Sequence, residues 1–232
     1  MNLNDELSDA LLMQAVRNER ARRSQARRII NILREVNDDV LTQIAAEGLT
    51  DFQARRLNAL SNRIRDLMRA GYETVLEEFE GELTGFIENE IQALTTIHNR
   101  VVGTDWAVSP SAQAVYAAAF ARPYQGRLLR EHYRELSASQ SREIQRQIRI
   151  GFLEGETQNQ VNARVRRVTN RIGGNFNRTL VNTTLSHFAA FAATRFTEVN
   201  ADAFSGRLLN ATLDIRTSEI CQDRDGRVYD RS

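Results

Sequence analysis

Three histidines and a single cysteine are the side chains of this sequence best suited to nucleophilic or metal chemistry: His98, His132, His187 and Cys221. A cysteine beside a histidine can supply a thiolate nucleophile, and a cluster of both can hold a tetrahedral metal. The histidines fall in three different expected helices, and no two of the four residues stand at ligand spacing. No catalytic pair, metal or cofactor is therefore expected, and Cys221 is read as a small buried hydrophobe. Asp223-Arg224-Asp225-Gly226 looks like part of a calcium loop, but alignment on its glycine puts Cys221 at the first aspartate and Ser232 at the final glutamate. Asp225-Gly226 reads instead as a turn that supplies the positive φ angles a tight hairpin needs. No phosphate-cradling loop, dinucleotide fingerprint or nucleophile elbow occurs, so the chain is not expected to be an enzyme.

Arginine carries the remaining chemistry. The sequence has no lysine, so all 31 basic residues are arginine, and the net charge is only +1. Genomic base composition accounts for this as readily as function does. The guanidinium group also forms forked bonds to carboxylates and phosphates, which suits ion-pair-rich contacts with a protein or a polyanion. Arg17, Arg20, Arg22, Arg23, Arg27 and Arg28 stand against only Glu19, in a stretch with few large apolar residues. That segment is expected to be solvated or bound to something acidic. A second arginine-rich stretch, from Arg142 to Arg178, is interrupted by Glu143, Glu154 and Glu156, which argues against a dedicated nucleic-acid module.

The elements that position these residues are expected to be helices. With 232 residues, 41% of them apolar, the chain can build a sizeable core, and two prolines and twelve scattered glycines favour long helices. Ile29, Leu33, Val36, Val40 and Ile44 fall three or four apart on a helix expected to begin near Asp5 and to end at Gly48. Thr50 and Gln53 resemble a capping box opening a second helix, marked by Leu57, Leu60, Ile64 and Leu67. From Tyr72 the stripe continues to Leu94, with Gly81 and Gly85 expected to bend or weaken it and seven glutamates from Glu73 to Glu90 on one face. Ser109 and Pro110 are read as N-cap and first residue of an alanine-rich helix. Further helices are expected over 126–152, 158–172 and 175–199, with a turn at Gly173-Gly174. After Gly206 the residues Leu208–Ile215 and Arg227-Val228-Tyr229 have strand character.

The fold class is thus mainly α: long helices and helical hairpins with a small C-terminal α+β module. Residues 1–108 form a helical partner-binding region and residues 109–232 a second helical region ending in the strand-containing module. No stretch reaches the roughly 18 apolar residues of a membrane span, Met1–Asp9 is polar and acidic, and one cysteine allows no internal disulfide.

One constellation goes beyond composition. Thr212-Leu213-Asp214-Ile215-Arg216-Thr217-Ser218-Glu219-Ile220-Cys221, followed by Asp225-Gly226-Arg227-Val228-Tyr229, resembles the C-terminal signature of phage minor head proteins of the Mu F-like head morphogenesis family. Pro123, Gly126, Leu128–Leu136 and Ile150-Gly151 to Thr157 are similar to the helical part of the same domain, so the resemblance spans about 123–230. Ser218 stands where the family often has a cysteine, and Asn182-Thr183 where an Arg-Thr pair is common.

The resemblance implies a structural minor head protein of a tailed bacteriophage, at the portal vertex or capsid interior of the virion, made in the host cytoplasm and acting in head morphogenesis or genome delivery. Its implied partners are the portal protein, packaged DNA, and scaffold or capsid protein, with several copies around the portal and no membrane in the assembled state. An internal ejection protein, and a nuclease or toxin-type enzyme, are the alternatives. Asp214, Arg216, Thr217, Cys221, Asp225 and Gly226 are expected to hold the C-terminal module together. Arg17, Arg20, Arg22, Arg23, Arg27 and Arg28 are expected to contact the portal or DNA. In the family a proline-rich segment with a His and a Cys-Arg pair follows the Asp-Gly turn, so the C-terminal module is expected to be completed by further residues or by a neighbouring chain.

Overall fold

The computed structural model of the chain describes residues 3–46, 54–123, 125–208 and 218–230 and is mainly helical. Five helices make up its body: α1 (Leu3–Ala46), α2 (Ala54–Val102), α3 (Ala112–Phe120), α4 (Leu129–Leu153) and α5 (Gln158–Val199). A 3₁₀ turn (Ala201–Ala203), β1 (Gly206–Leu208), α6 (Glu219–Arg224) and β2 (Val228–Asp230) follow. At 1.5 Å per residue, the 44 residues of α1 and 49 of α2 extend about 66 and 74 Å.

Contacts between side chains fix the directions of the helices. As α1 positions rise from Gln14 to Arg28, their α2 partners fall from Glu90 to Glu82 and Glu78, so the two helices are antiparallel. Along α2, Ser61, Tyr72 and Glu80 meet Gln145, Gln140 and Arg130 of α4, which is again antiparallel. A tight turn then returns α5 beside α4, and Gln158 Nε2 donates to the Ile44 carbonyl at 2.9 Å, placing the start of α5 at the end of α1. The result is an up-down-up-down four-helix bundle in the order α1, α2, α4, α5. With 25 residues, α4 is too short to span its neighbours, and α3, packed on α2 and α5, fills the rest of that column. Tyr116 of α3 stacks on Phe120 and approaches Phe188 of α5.

The core is continuous from end to end. Val40, Leu83, Ile144 and Val181, from four different helices, are all fully buried in one apolar cluster. That cluster crosses residue 108, where the chain makes a connection between α2 and α3 within the same core. The α4–α5 turn is shaped by Gly155, at φ +67°, and by Gln160 Oε1 accepting the Thr157 amide at 2.8 Å. At the same turn Arg164 binds both Glu154 and Glu156, holding the Glu156 carboxyl below its usual range and raising the guanidinium.

Several expectations need correction. Gly81 and Gly85 do not interrupt α2, and Gly173-Gly174 does not make a turn, because α5 is helical throughout. A helical glycine costs about 1 kcal/mol relative to alanine; buried Phe79, Leu83 and Ile87 around the first pair, and Val165 and Leu180 around the second, outweigh that. The N-cap of α3 is Ser111, whose Oγ accepts the Ala114 amide, whereas the Ser109 hydroxyl is engaged with Thr95 Oγ1 at 2.8 Å. α1 begins at Leu3, and its last helical residue here is Ala46. Gly48, Thr50 and Gln53 lie outside the described residues. The glutamates of α2 do not share a face: Glu78 and Glu82 meet Arg28, Glu80 meets Arg130, and Glu90 is buried.

Candidate functional site

The arginines singled out from the sequence lie on the first half of α1, where the helix has little to bury. Between Leu3 and Gln25 only Gln14 is fully buried, and apolar burial begins at Ala26. Leu12, Val16, Arg20, Arg23 and Arg27 recur at spacings of four, four, three and four, so they form one stripe. All five are exposed, Leu12 at 62% and Val16 at 45%. Scattered exposed apolar side chains are ordinary, but here Leu12 and Val16 are continuous with a cationic strip. Arg22 and Arg23 reach Glu19 at 3.8 and 3.2 Å, and Arg28 crosses to Glu78 and Glu82 on α2. Arg17 and Arg20 have no ion pair among the described residues. Such exposed pairs are worth under about 1 kcal/mol each, so the guanidinium groups are available to a partner.

Beside this stripe a groove of about 530 Å³ opens between the start of α1 and the end of α2. Ala10, Met13, Ala93 and Ile97 supply its apolar lining, with Arg17 and Arg100 among its polar groups. Met13 is 58% exposed there.

A buried polar lock holds this half of α1 in register. Gln14 Nε2 and Asn18 Nδ2 donate to the same oxygen, Oε2 of Glu90, at 3.1 and 2.7 Å. Glu90 is 7% exposed, and a carboxylate removed from water is tolerated only where donors replace its hydration. Amide donors at a fixed height on α1 can do this in one register alone, which ties the sliding of α1 along α2 to a polar contact.

The same end of the bundle is closed by an aromatic cluster. His98 lies 4.8 Å from Phe196, 5.6 Å from Phe204 and 6.1 Å from Trp106 between ring centroids. Burial pushes the His98 pKa down, opposed by its Nδ1 contact with the Leu94 carbonyl at 2.8 Å. Asn99 Oδ1 accepts the amides of Trp106 and Ala107, and Asn200 bonds both the amide and the carbonyl of Val108. These amide side chains act as local caps for the connection after α2. Sequence periodicity gives no sign of this, because Asn99 and Asn200 read as surface residues.

The C-terminal signature is described only in part. Asp214, Arg216 and Thr217 lie outside the described residues. Ser218 caps α6 by accepting the Cys221 amide at 3.3 Å. Cys221 is exposed on this six-residue helix, contrary to its expected burial, since α6 contributes no buried residue. Gly226 has φ +73° and follows Asp225 at φ −59°, ψ 134°, while the Arg227 amide donates to the Arg224 carbonyl at 3.1 Å. This is a type II turn in which the third position requires glycine. It joins α6 to β2 rather than closing a hairpin, and β2 pairs antiparallel with β1 through Leu208 and Val228, Arg207 and Tyr229, Gly206 and Asp230.

His98, His132 and His187 are carried by α2, α4 and α5, and among the described residues no three His, Cys, Asp or Glu side chains gather as a metal site. Among the described residues no helix is long and apolar enough to cross a membrane. Comparison with protein-family models, curated proteins and solved structures finds no match to this chain.

Proposed function

We propose that this chain is a structural minor head protein of a tailed bacteriophage that works by contact, docking the first half of α1 on the portal protein. The observation that carries the docking is the stripe Leu12, Val16, Arg20, Arg23, Arg27 on a long helix whose inner face is barely occupied there. Exposed apolar side chains next to exposed arginines fit an interface with an apolar centre and an acidic rim. The assignment to a phage head rests on the signature from Thr212 to Tyr229. The β1–β2 ladder and α6 are read as the small α+β module that bears it.

The experiment is co-expression with the portal protein of the same phage. Co-purification is expected for the natural sequence and loss of it for Leu12→Asp combined with Arg20→Gln and Arg23→Gln. Retention of the complex by that variant, or no complex with the natural chain, would sink the docking assignment.

A further inference from the structure

A second arginine surface lies across the seam of α2 and α4, on residues 80 positions apart in sequence. Its register is set by Gln145 Nε2, which donates to the Ser61 carbonyl at 2.9 Å. Arg142 and Arg149 stand three before and four after Gln145, and therefore share its stripe on α4. Arg65 and Arg69 stand four and eight after Ser61 on α2. Because the helices are antiparallel, Arg65 sits beside the turn that carries Arg142. All four side chains are exposed. Among the described residues Arg65, Arg142 and Arg149 make no ion pair, and Arg69 has only a 3.5 Å contact with Asp66, both groups being about two-thirds exposed. Glu73, one turn beyond Arg69, bounds the patch, and Glu143 is turned away to Arg146 and Gln147.

What this surface lacks identifies its partner. None of the large exposed apolar side chains of the described residues falls between positions 56 and 75 or between 130 and 150. A protein interface would need apolar or aromatic anchors at its centre. The aromatic rings of these two stretches, Tyr72 and Tyr133, are buried in the core, so no base-stacking platform for a single strand is offered either. Arg142 and Arg149 are separated by about 10 Å along α4, and Arg65 and Arg69 by about 6 Å along α2; with Ser61 level with Gln145, Arg65 lies beside Arg142 and Arg69 beyond it, so the four cations form an elongated strip along the seam.

We propose that this seam binds the phosphate backbone of double-stranded DNA, without sequence preference, through Arg65, Arg69, Arg142 and Arg149. The inference is independent of the head-protein reading and of the α1 stripe.

The test is fluorescence anisotropy of the full chain with a duplex of about 30 base pairs across a salt series. Each phosphate neutralised contributes a slope of about −0.9 in log K against log salt, so the natural chain should give about −3 to −4. Arg65→Gln, Arg142→Gln and Arg149→Gln together should remove about 2.7 of that slope and weaken binding on the order of tenfold or more. Circular dichroism melting of this variant should match the natural chain, since the three groups are exposed and unpaired. Arg20→Gln, Arg23→Gln and Arg27→Gln together should leave the slope unchanged. The proposal is overturned by no duplex binding, by a preference for single-stranded DNA or polyglutamate, or by loss of slope with the α1 variant in place of the seam variant.

Discussion

Gly71 of α2 lies against Val36 of α1 so closely that a Cβ built on the glycine would be 2.3 Å from Val36 Cγ2. The lack of a side chain at position 71 is what lets the two long helices approach at the middle of the hairpin. Gly71→Ala should therefore destabilise the protein by on the order of 1–3 kcal/mol, the cost of overpacking a filled site. Val36→Ala in the same chain should recover a large part of it. Chemical denaturation of the two single variants and the double variant measures the coupling; purely additive losses would show that the contact does not limit the approach.

The Gln14, Asn18 and Glu90 lock leads to a local prediction. Glu90→Ala removes the shared acceptor of buried Gln14 and half-buried Asn18, leaving Gln14 Nε2 only its 3.3 Å contact with Asn18 Oδ1, a loss on the order of 1–3 kcal/mol. Because little apolar burial supports α1 before Ala26, the loss should appear as opening of residues 3–25 and not of the whole bundle. Hydrogen exchange should accelerate in that segment while 29–44 stays protected. Equal acceleration across α1 would mean the lock has no local role.

His98 should make the bundle end sensitive to acid. Its pKa is lowered in the folded chain, mainly by burial, so the unfolded chain binds a proton more readily below the usual value of about 6.5. The stability of this end is thus complete above that pH and declines as pH falls through it, levelling off below the folded pKa. Trp106, the one tryptophan of the sequence, is the probe, at 6.1 Å from the His98 ring. Its emission should change between pH 7 and 5 in the natural chain and stay constant in His98→Phe; an identical transition in both would exclude His98 as the cause.

The helical architecture was legible because apolar periodicity marks a buried face directly. Ile29, Leu33, Val40 and Ile44 are buried as the spacing predicts, and Val36 is half-buried where Gly71 meets it. Glycine was misleading at positions 81, 85, 173 and 174, because its local penalty is small beside the packing of the turns on either side. The polar members of the interior were not legible. Gln14, Glu90, Gln140 and Asn200 carry surface-type side chains, and their burial is decided by partners 68, 72, 76 or 92 residues away. The α2–α4 arginine patch was hidden for the same reason, since its register is written in one side-chain contact to a backbone carbonyl. Within the signature, Gly226 takes the positive φ angle expected of it, but Asp225 stays at φ −59° and the turn joins α6 to β2 instead of closing a tight hairpin, and Cys221 was misplaced because α6 stands on its own at the surface.

Quantitative mass spectrometry of purified phage particles and procapsids decides whether the chain is a head component held by its helix surfaces, as proposed above. A small fixed number of copies per particle is expected, reduced when Leu12, Arg20 and Arg23 are replaced. Absence of the chain from both particles and procapsids would contradict it.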